Sequence, residues 1–230
     1  MSNKLKSLKF IAIEGPIGVG KTTLAKALQT EVAGNIMLEE FEENPFLQKM
    51  YDDFAANIKP STHAFNTELF FLMSRIKQCQ ALKLYQPVPL ISDYILLKCR
   101  IFAKITLGKT EFELFDKVFQ ATSSGMPNPE LTIYLDAPSS ELLKRIAGRG
   151  RKLETNMQQD YLDKLRSEYF TQLNSHPSTR VFVDTNNLDL RKPNNVNMLI
   201  KELEKVILMS TENPLGSRVF HIGAEALSNH

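Results

Sequence analysis

The chain alternates short apolar runs with longer stretches in which apolar residues recur every three or four positions. Phe10 to Ile13, Ile36 to Leu38, Val88 to Ser92, Leu131 to Leu135 and Arg180 to Val183 are brief and rich in β-branched and aromatic residues, the pattern of strands buried on both faces. Between them Leu24, Leu28 and Val32, and further on Phe65, Leu69, Leu72, Ile76 and Cys79, repeat at helical spacing and mark helices with one apolar stripe. Strands alternating with helices predict an α/β fold, a parallel sheet covered on both faces. Such sheets gather ligands at the carboxyl ends of their strands, and Glu39, Asp93, Asp136 and Asp184 all stand there. An acid in that place also caps the next helix, so position alone does not separate chemistry from capping.

The first strand settles part of the question. It runs into Gly15-Pro16-Ile17-Gly18-Val19-Gly20-Lys21-Thr22, which fits the phosphate-loop pattern G-x-x-x-x-G-K-S/T at every required position, with Thr23 opening the next helix. Glycines let backbone N–H groups turn inward around phosphate oxygens, and the positive end of the following helix adds to the same field. Lys21 is expected to reach the β- and γ-phosphates of a nucleoside triphosphate, and the Thr22 hydroxyl to sit on Mg²⁺. Val88-Pro-Leu-Ile-Ser92 ending in Asp93 reads as the second nucleotide-site motif, whose acid belongs near that metal. Glu39 opens the acidic run Glu39-Glu40-Phe41-Glu42-Glu43, most of which is a solvated face. Its first acid follows the strand directly and points toward the phosphate loop, where a base must stand to take a proton from an attacking hydroxyl.

Composition narrows the class. The 230 residues suit one domain, 1–230, and 28 Lys+Arg against 26 Asp+Glu leave a net charge of +2, so no global attraction to nucleic acid or to an anionic membrane is expected. Cys79 and Cys99 form no C-x-x-C pair, which fits a reducing compartment without structural zinc. No apolar run reaches membrane-spanning length and the first six residues lack a signal core, so a cytoplasmic location is expected. Local charge then carries the chemistry. Arg145 and Arg149 lie four apart on a helix, and Gly148 and Gly150 loosen the segment carrying Arg149 and Arg151. A mobile arginine-rich lid over about 145–158 suits phosphoryl transfer, in which charge spreads over equatorial oxygens.

Taken together, Ile13-Glu-Gly-Pro-Ile-Gly-Val-Gly-Lys-Thr-Thr-Leu24, Glu39-Glu-Phe-Glu-Glu-Asn-Pro-Phe-Leu47, Leu69-Phe-Phe-Leu-Met-Ser-Arg75, Ser92-Asp93-Tyr94, Ile133-Tyr-Leu-Asp-Ala-Pro138 and Arg145-Ile-Ala-Gly-Arg-Gly-Arg151 resemble the deoxynucleoside kinases, in the bacterial branch that acts on purine deoxynucleosides. The resemblance runs from about Phe10 to Leu208. It implies a phosphate-loop NTPase fold with a five-stranded parallel sheet, ATP as donor with Mg²⁺, transfer to the 5′-hydroxyl of a purine deoxynucleoside in nucleotide salvage, and a homodimer built through long helices. It also implies Glu39 as general base, Lys21, Arg145, Arg149 and Arg151 steadying the transferring group, Tyr51 and Glu154 on the sugar 3′-hydroxyl, Arg75 on the base, and the segment from Asp184 near the adenine of ATP.

Four positions depart from the family pattern. Glu68 stands where Gln is usual, Cys99 replaces the acid before Arg100, Tyr94 replaces an arginine after Asp93, and Asp52 to His63 is longer than the usual spacer. Glu68 and Arg75 lie seven apart on one side of a helix with no opposite charge three or four residues away, so their partners must come from elsewhere. A glutamine amide donates and accepts, matching adenine, whereas an ionised carboxylate only accepts, matching the N1–H and N2–H₂ of guanine. Deoxyguanosine is therefore the expected substrate, with deoxyadenosine next; the bland alternative is that Glu68 neutralises Arg75. The histidines show no metal-ligand spacing and read as surface or incidental. The last twenty residues, about 210–230, are too apolar for a plain tail and could pack on the domain or on a partner subunit. A nucleoside monophosphate kinase of thymidylate-kinase type and a nucleotide-binding switch remain as alternative readings.

Overall fold

The structure, a computed structural model, describes residues 4–82, 88–211 and 218–223. β1 (Phe10–Glu14) leads through the phosphate loop into α1 (Lys21–Val32), which returns to β2 (Asn35–Met37). α2 (Leu47–Ala55) and α3 (Ala64–Leu82) precede β3 (Leu90–Ser92), and α4 (Leu97–Thr106) and α5 (Lys109–Ser123) precede β4 (Leu131–Asp136). α6 (Ser139–Arg149), α7 (Gln159–Asn174), β5 (Thr179–Asp184), α8 (Pro193–Thr211) and β6 (Val219–Ile222) complete the chain. The strands stand in the order β2-β3-β1-β4-β5-β6, every neighbouring pair parallel.

The two-residue period of each strand divides its side chains between two cores. Ile11, Ile13, Ile133, Leu135, Val181 and Val183 pack with α1, α6 and α8 on one face. Phe10, Ala12, Tyr134 and Phe182 pack with α4 and α7 on the other. α3 and α5 build a smaller apolar cluster with α4 around Leu72, Ile76, Phe115 and Phe119. With β1 held between β3 and β4, the loop leaving its carboxyl end opens where the two halves of the sheet diverge, the usual ligand crevice.

The described sheet has six strands, not the expected five. The added strand comes from the C-terminal segment, whose Val219 to Ile222 pair with Arg180 to Val183 of β5, so this part packs on its own domain. The rest of the expected extension, residues 212–217 and 224–230, lies outside the described residues. β3 begins two residues later than its apolar run suggests, because Pro89 has no N–H for a ladder and instead accepts from Asn35 N at 2.8 Å. His176 is not a surface residue: it is buried ahead of β5, with the Ser178 N–H donating to its Nδ1 at 3.3 Å. Burial, and then Arg180, lower its pKa. No disulfide joins Cys79 and Cys99, and no described helix is long and apolar enough to cross a membrane.

Gly34, in the tight turn from α1 into β2, faces the Pro89 carbonyl so closely that an added Cβ would lie 2.4 Å from that oxygen. Gly34→Ala is expected to lower stability in urea unfolding by about 1–3 kcal/mol, the usual cost of overpacking. It leaves turnover unchanged, since this turn lies at the opposite end of the sheet from the phosphate loop.

Candidate active site

The phosphate loop is held in shape from below. Gly15 adopts φ 144°, and a Cβ there would sit 2.3 Å from the Leu135 carbonyl oxygen, so only glycine lets the loop press against β4. Just before it, the fully buried Glu14 accepts from Ile95 N at 2.7 Å and Tyr169 Oη at 2.8 Å, and from Gly15 N at 3.2 Å, which ties the loop's entry to the segment ahead of α4 and to α7. Burial raises its pKa against the opposing pull of Lys98 and Lys21. Lys21 Nζ donates to the carbonyls of Gly15 at 2.8 Å and Pro16 at 3.0 Å, and burial, then Lys98, pull its pKa down to about 8.

The ends of two other strands converge on this loop. Asp93, past β3, accepts from Thr22 Oγ1 at 2.5 Å through one oxygen and from the Glu39 backbone N–H at 2.9 Å through the other. Glu39, past β2, is held on both carboxylate oxygens: Arg75 Nη2 donates to Oε1 and Lys98 Nζ donates to Oε2 at 2.6 Å. Burial would raise its pKa, but Lys98, Arg75 and Lys21 outweigh that and hold it well below the usual carboxylate range. Arg75 also donates through Nη1 to Cys99 Sγ at 2.9 Å, where the resemblance expects an acid, and its guanidinium lies 4.8 Å from the Phe71 ring centroid.

The partners of Glu68 and Arg75 do come from other elements, and the two do not neutralise each other by a direct bond. Glu68 Oε1 accepts from Thr106 Oγ1 of α4 at 2.9 Å, while Glu68 Oε2 and Arg75 Nε have no hydrogen-bond partner among the described residues. Burial pushes the Glu68 pKa up to about 7, so the expected purely accepting carboxylate is in fact poised between its two forms near neutral pH. Tyr94 is buried with its ring centroid 5.5 Å from the Arg75 guanidinium, and its hydroxyl donates to Gln78 Oε1.

These side chains enclose a cavity of about 270 Å³ lined by Ile17, Gly18, Lys21, Thr22, Glu39, Tyr51, Glu68, Arg75, Asp93, Arg149, Arg151 and Glu154 among others. The lid covers it: Glu154 accepts from Arg149 Nη2 and lies 3.7 Å from Arg151 Nη1, and the Arg151 guanidinium stacks 4.3 Å from the Phe41 ring centroid. Arg145 does not line this cavity. It donates to Thr185 O at 2.6 Å, Thr185 Oγ1 at 3.1 Å and Asn186 O at 3.3 Å, and with Arg149 it lines an adjoining groove of about 650 Å³ that shares Gly18 and Arg149 with the chamber and runs past Val19, Gly20 and Thr23 to Asn186, Leu190 and Arg191. Asp184 is exposed and accepts from Asn186 N at 2.8 Å, shaping that loop without lining the groove. Asp136 is held by Arg166 through two hydrogen bonds of 2.8 Å. A further cavity of about 390 Å³ between α2, the lid and α7 shares Tyr51 and Leu153 but contains none of the phosphate-loop residues. Sequence reading passed over Lys98, Phe71, Phe102, Glu14 and Thr185; a lysine on the otherwise apolar start of α4 was the available signal for the first.

A phosphate loop, an acid at each of the two neighbouring strand ends and an arginine lid define a nucleotide-dependent phosphotransferase. A family model described as deoxynucleoside kinase matches residues 11–208. The chain is 41% identical over 170 residues to a deoxyguanosine kinase of Bacillus subtilis (strain 168), covering 72% of this chain and 78% of that one. It is 30% identical over 210 residues to a deoxyadenosine kinase of Dictyostelium discoideum, covering 89% and 83%. Among solved structures, a deoxyadenosine kinase from M. mycoides with dCMP and dCDP bound superposes with a TM-score of 0.72 at 24% identity, over 85% of this chain and 99% of the other. The chain belongs to the deoxynucleoside kinase family, and is a phosphotransferase acting on a deoxynucleoside with a nucleotide as phosphoryl donor.

The raised pKa of Glu68 makes a stability prediction. The folded chain holds this proton more tightly than the unfolded chain, so the contribution is fully present below the ordinary value of 4.5 and is lost as pH rises through about 7. The stability of Glu68→Gln relative to the parent is expected to rise by about 3 kcal/mol between pH 4 and pH 8, read from urea midpoints at each pH.

Proposed function

We propose that the chain transfers the γ-phosphoryl group of ATP to the 5′-hydroxyl of a purine deoxynucleoside, deoxyguanosine before deoxyadenosine, in nucleotide salvage. The observation that carries this reading is the convergence of Glu39, Lys21 and Asp93 on one enclosed chamber beside the phosphate loop. The triphosphate would thread from the groove under Arg145 into the loop, and the nucleoside would fill the chamber, its base against Glu68, Arg75 and Phe71 and its sugar against Tyr51 and Glu154. The 5′-oxygen bonds to the γ-phosphorus as the bond to the bridging oxygen breaks; ADP leaves with that electron pair and Glu39 receives the hydroxyl proton. Lys21, Arg149 and Arg151 stand close enough to the chamber to balance the charge of the group in flight.

The donor set suits Mg²⁺. The Thr22 hydroxyl and the Asp93 carboxylate are hard oxygen ligands in contact with each other, and no group of three His, Cys, Asp or Glu side chains for a metal exists among the described residues. A cation held by so few protein ligands takes the rest from phosphates and water, as Mg²⁺ does. When bound it would neutralise charge on the β- and γ-phosphates. A homodimer is part of the same reading, supported by exposed Met73 and Leu114 on the packed helices α3 and α5.

The test is a turnover panel of deoxynucleosides and their monophosphates with Mg·ATP. Glu39→Gln is expected to lower kcat at least about 100-fold while ATP binding persists; normal turnover would remove Glu39 as the base. The preference also depends on pH. Guanine hydrogen-bonds to ionised Glu68, whereas adenine N1 needs the carboxyl proton, so the ratio of kcat/KM for deoxyguanosine over deoxyadenosine is expected to rise about tenfold or more from pH 6 to pH 8. In Glu68→Gln that trend disappears and deoxyadenosine gains.

A further inference from the structure

Lys98 has no part in the assignments above, yet its surroundings are unusual for a lysine. Its side chain is 4% exposed, and Glu39 Oε2, at 2.6 Å, is its one hydrogen-bond acceptor among the described residues. Its ammonium otherwise rests over the Phe102 ring, 5.4 Å from the centroid. A buried ammonium with a single partner is costly to maintain, and lysines are almost never fully buried unless paired. The segment that carries it begins at Asp93, whose Oδ1 already holds the Glu39 backbone N–H at 2.9 Å. One short stretch, residues 93–98, therefore grips Glu39 at both its main chain and its carboxylate.

The two cations on Glu39 are not equivalent. Arg75 is shared: it bonds Cys99 as well as Glu39, lies beside Phe71, and among the described residues its Nε has no partner. A base that engages this arginine competes directly with its bond to Glu39. Among the described residues Lys98 has no second acceptor, since Cys99 and Glu68 are bonded to Arg75 and Thr106 and the buried Glu14 acts on it through charge alone. Tyr94, also in this segment, contributes no charge, since its hydroxyl is turned to Gln78.

We infer that Lys98 is the positioning residue for Glu39, the fixed cation that aims its carboxylate at the acceptor hydroxyl while Arg75 is drawn to the nucleobase. The inference rests on the reading of Glu39 as the base. With Lys98 in place, one carboxylate oxygen stays anchored and the other is released to the 5′-hydroxyl as Arg75 moves to the base. Base recognition and proton acceptance are thereby linked through one arginine, and Lys98 keeps Glu39 oriented during the exchange.

The charged and titratable groups facing Glu39 are Lys21 from the phosphate loop, Arg75 and Glu68 from α3, Lys98 from α4, Asp93 past β3, Tyr51 from α2, and Arg149, Arg151 and Glu154 from the lid. Removing the Lys98 cation also acts on Glu14, Lys21 and Glu68, whose protonation it biases, so all variants are compared at one fixed pH. The experiment measures kcat and KM for the full-length parent, Lys98→Met, Lys98→Gln, Lys98→Arg and Glu39→Gln with ATP and a deoxynucleoside. Lys98→Met is expected to lower kcat by about tenfold or more while KM for ATP and for the deoxynucleoside changes less than about twofold, the split expected when a group acts only in the transition state. Lys98→Gln is expected to behave like Lys98→Met and serves if the latter does not fold; Lys98→Arg is expected to restore most of the lost kcat. Parental kcat in both neutral variants, a loss that appears in KM rather than kcat, or a Lys98→Arg variant as impaired as the neutral ones would overturn the inference. Normal turnover of Glu39→Gln would instead remove the reading of Glu39 itself.

Discussion

The site depends on the two hydrogen bonds of Asp93. One reaches Thr22 at the start of α1 and the other reaches the backbone of Glu39 beyond β2, so a single carboxylate joins the phosphate loop, the third strand and the candidate base. Each of those segments leaves a different strand, and nothing local would hold them at a common distance. Parallel pairing does the coarse alignment, since the register of β2, β3 and β1 brings their carboxyl ends level. The side chain of Asp93 does the fine alignment, over a few tenths of an ångström, which is the scale on which phosphoryl transfer by positioning succeeds or fails.

Around that joint the electrostatics are arranged in opposition. Glu39 is half-buried yet driven toward its charged form by Lys98 and Arg75, while Glu68, more deeply enclosed, has no cation bonded to it among the described residues and is driven toward its neutral form. Two carboxyl groups in one chamber thus take opposite protonation tendencies from their neighbours alone, a pattern that commonly separates a group that accepts a proton from one that reads a ligand. Arg75 lies between them and is bonded to only one.

Much of the fold was legible because its signals are local. Five strand cores, the phosphate loop and the first helix are each encoded within a dozen residues. β6 was not, because Val219 to Ile222 is only four residues long and becomes a strand only by meeting an edge formed some forty residues earlier. The contiguous motif residues of the site came out of the sequence together with Asp93 and Glu39. Lys98 did not, since its meaning lies in a contact 59 positions away and its neighbours Leu97 and Cys99 make it look like an ordinary helix face. The different partners of Arg145 and Arg149 were equally hidden: both line one groove, as helical spacing expects, but Thr185 and Asn186 bond the first and Glu154 the second.

The parallel seat of β6 gives the end of the chain a protective duty. Without it, the backbone N–H and C=O groups of alternate residues of β5 would stand unpaired along an edge, a surface on which strands of other molecules can pair. Four residues of β6 cover that edge, and the imidazole of His221 lies over the Phe182 ring, 5.2 Å between centroids. A segment remote from the chemistry thus closes the fifth strand's open side.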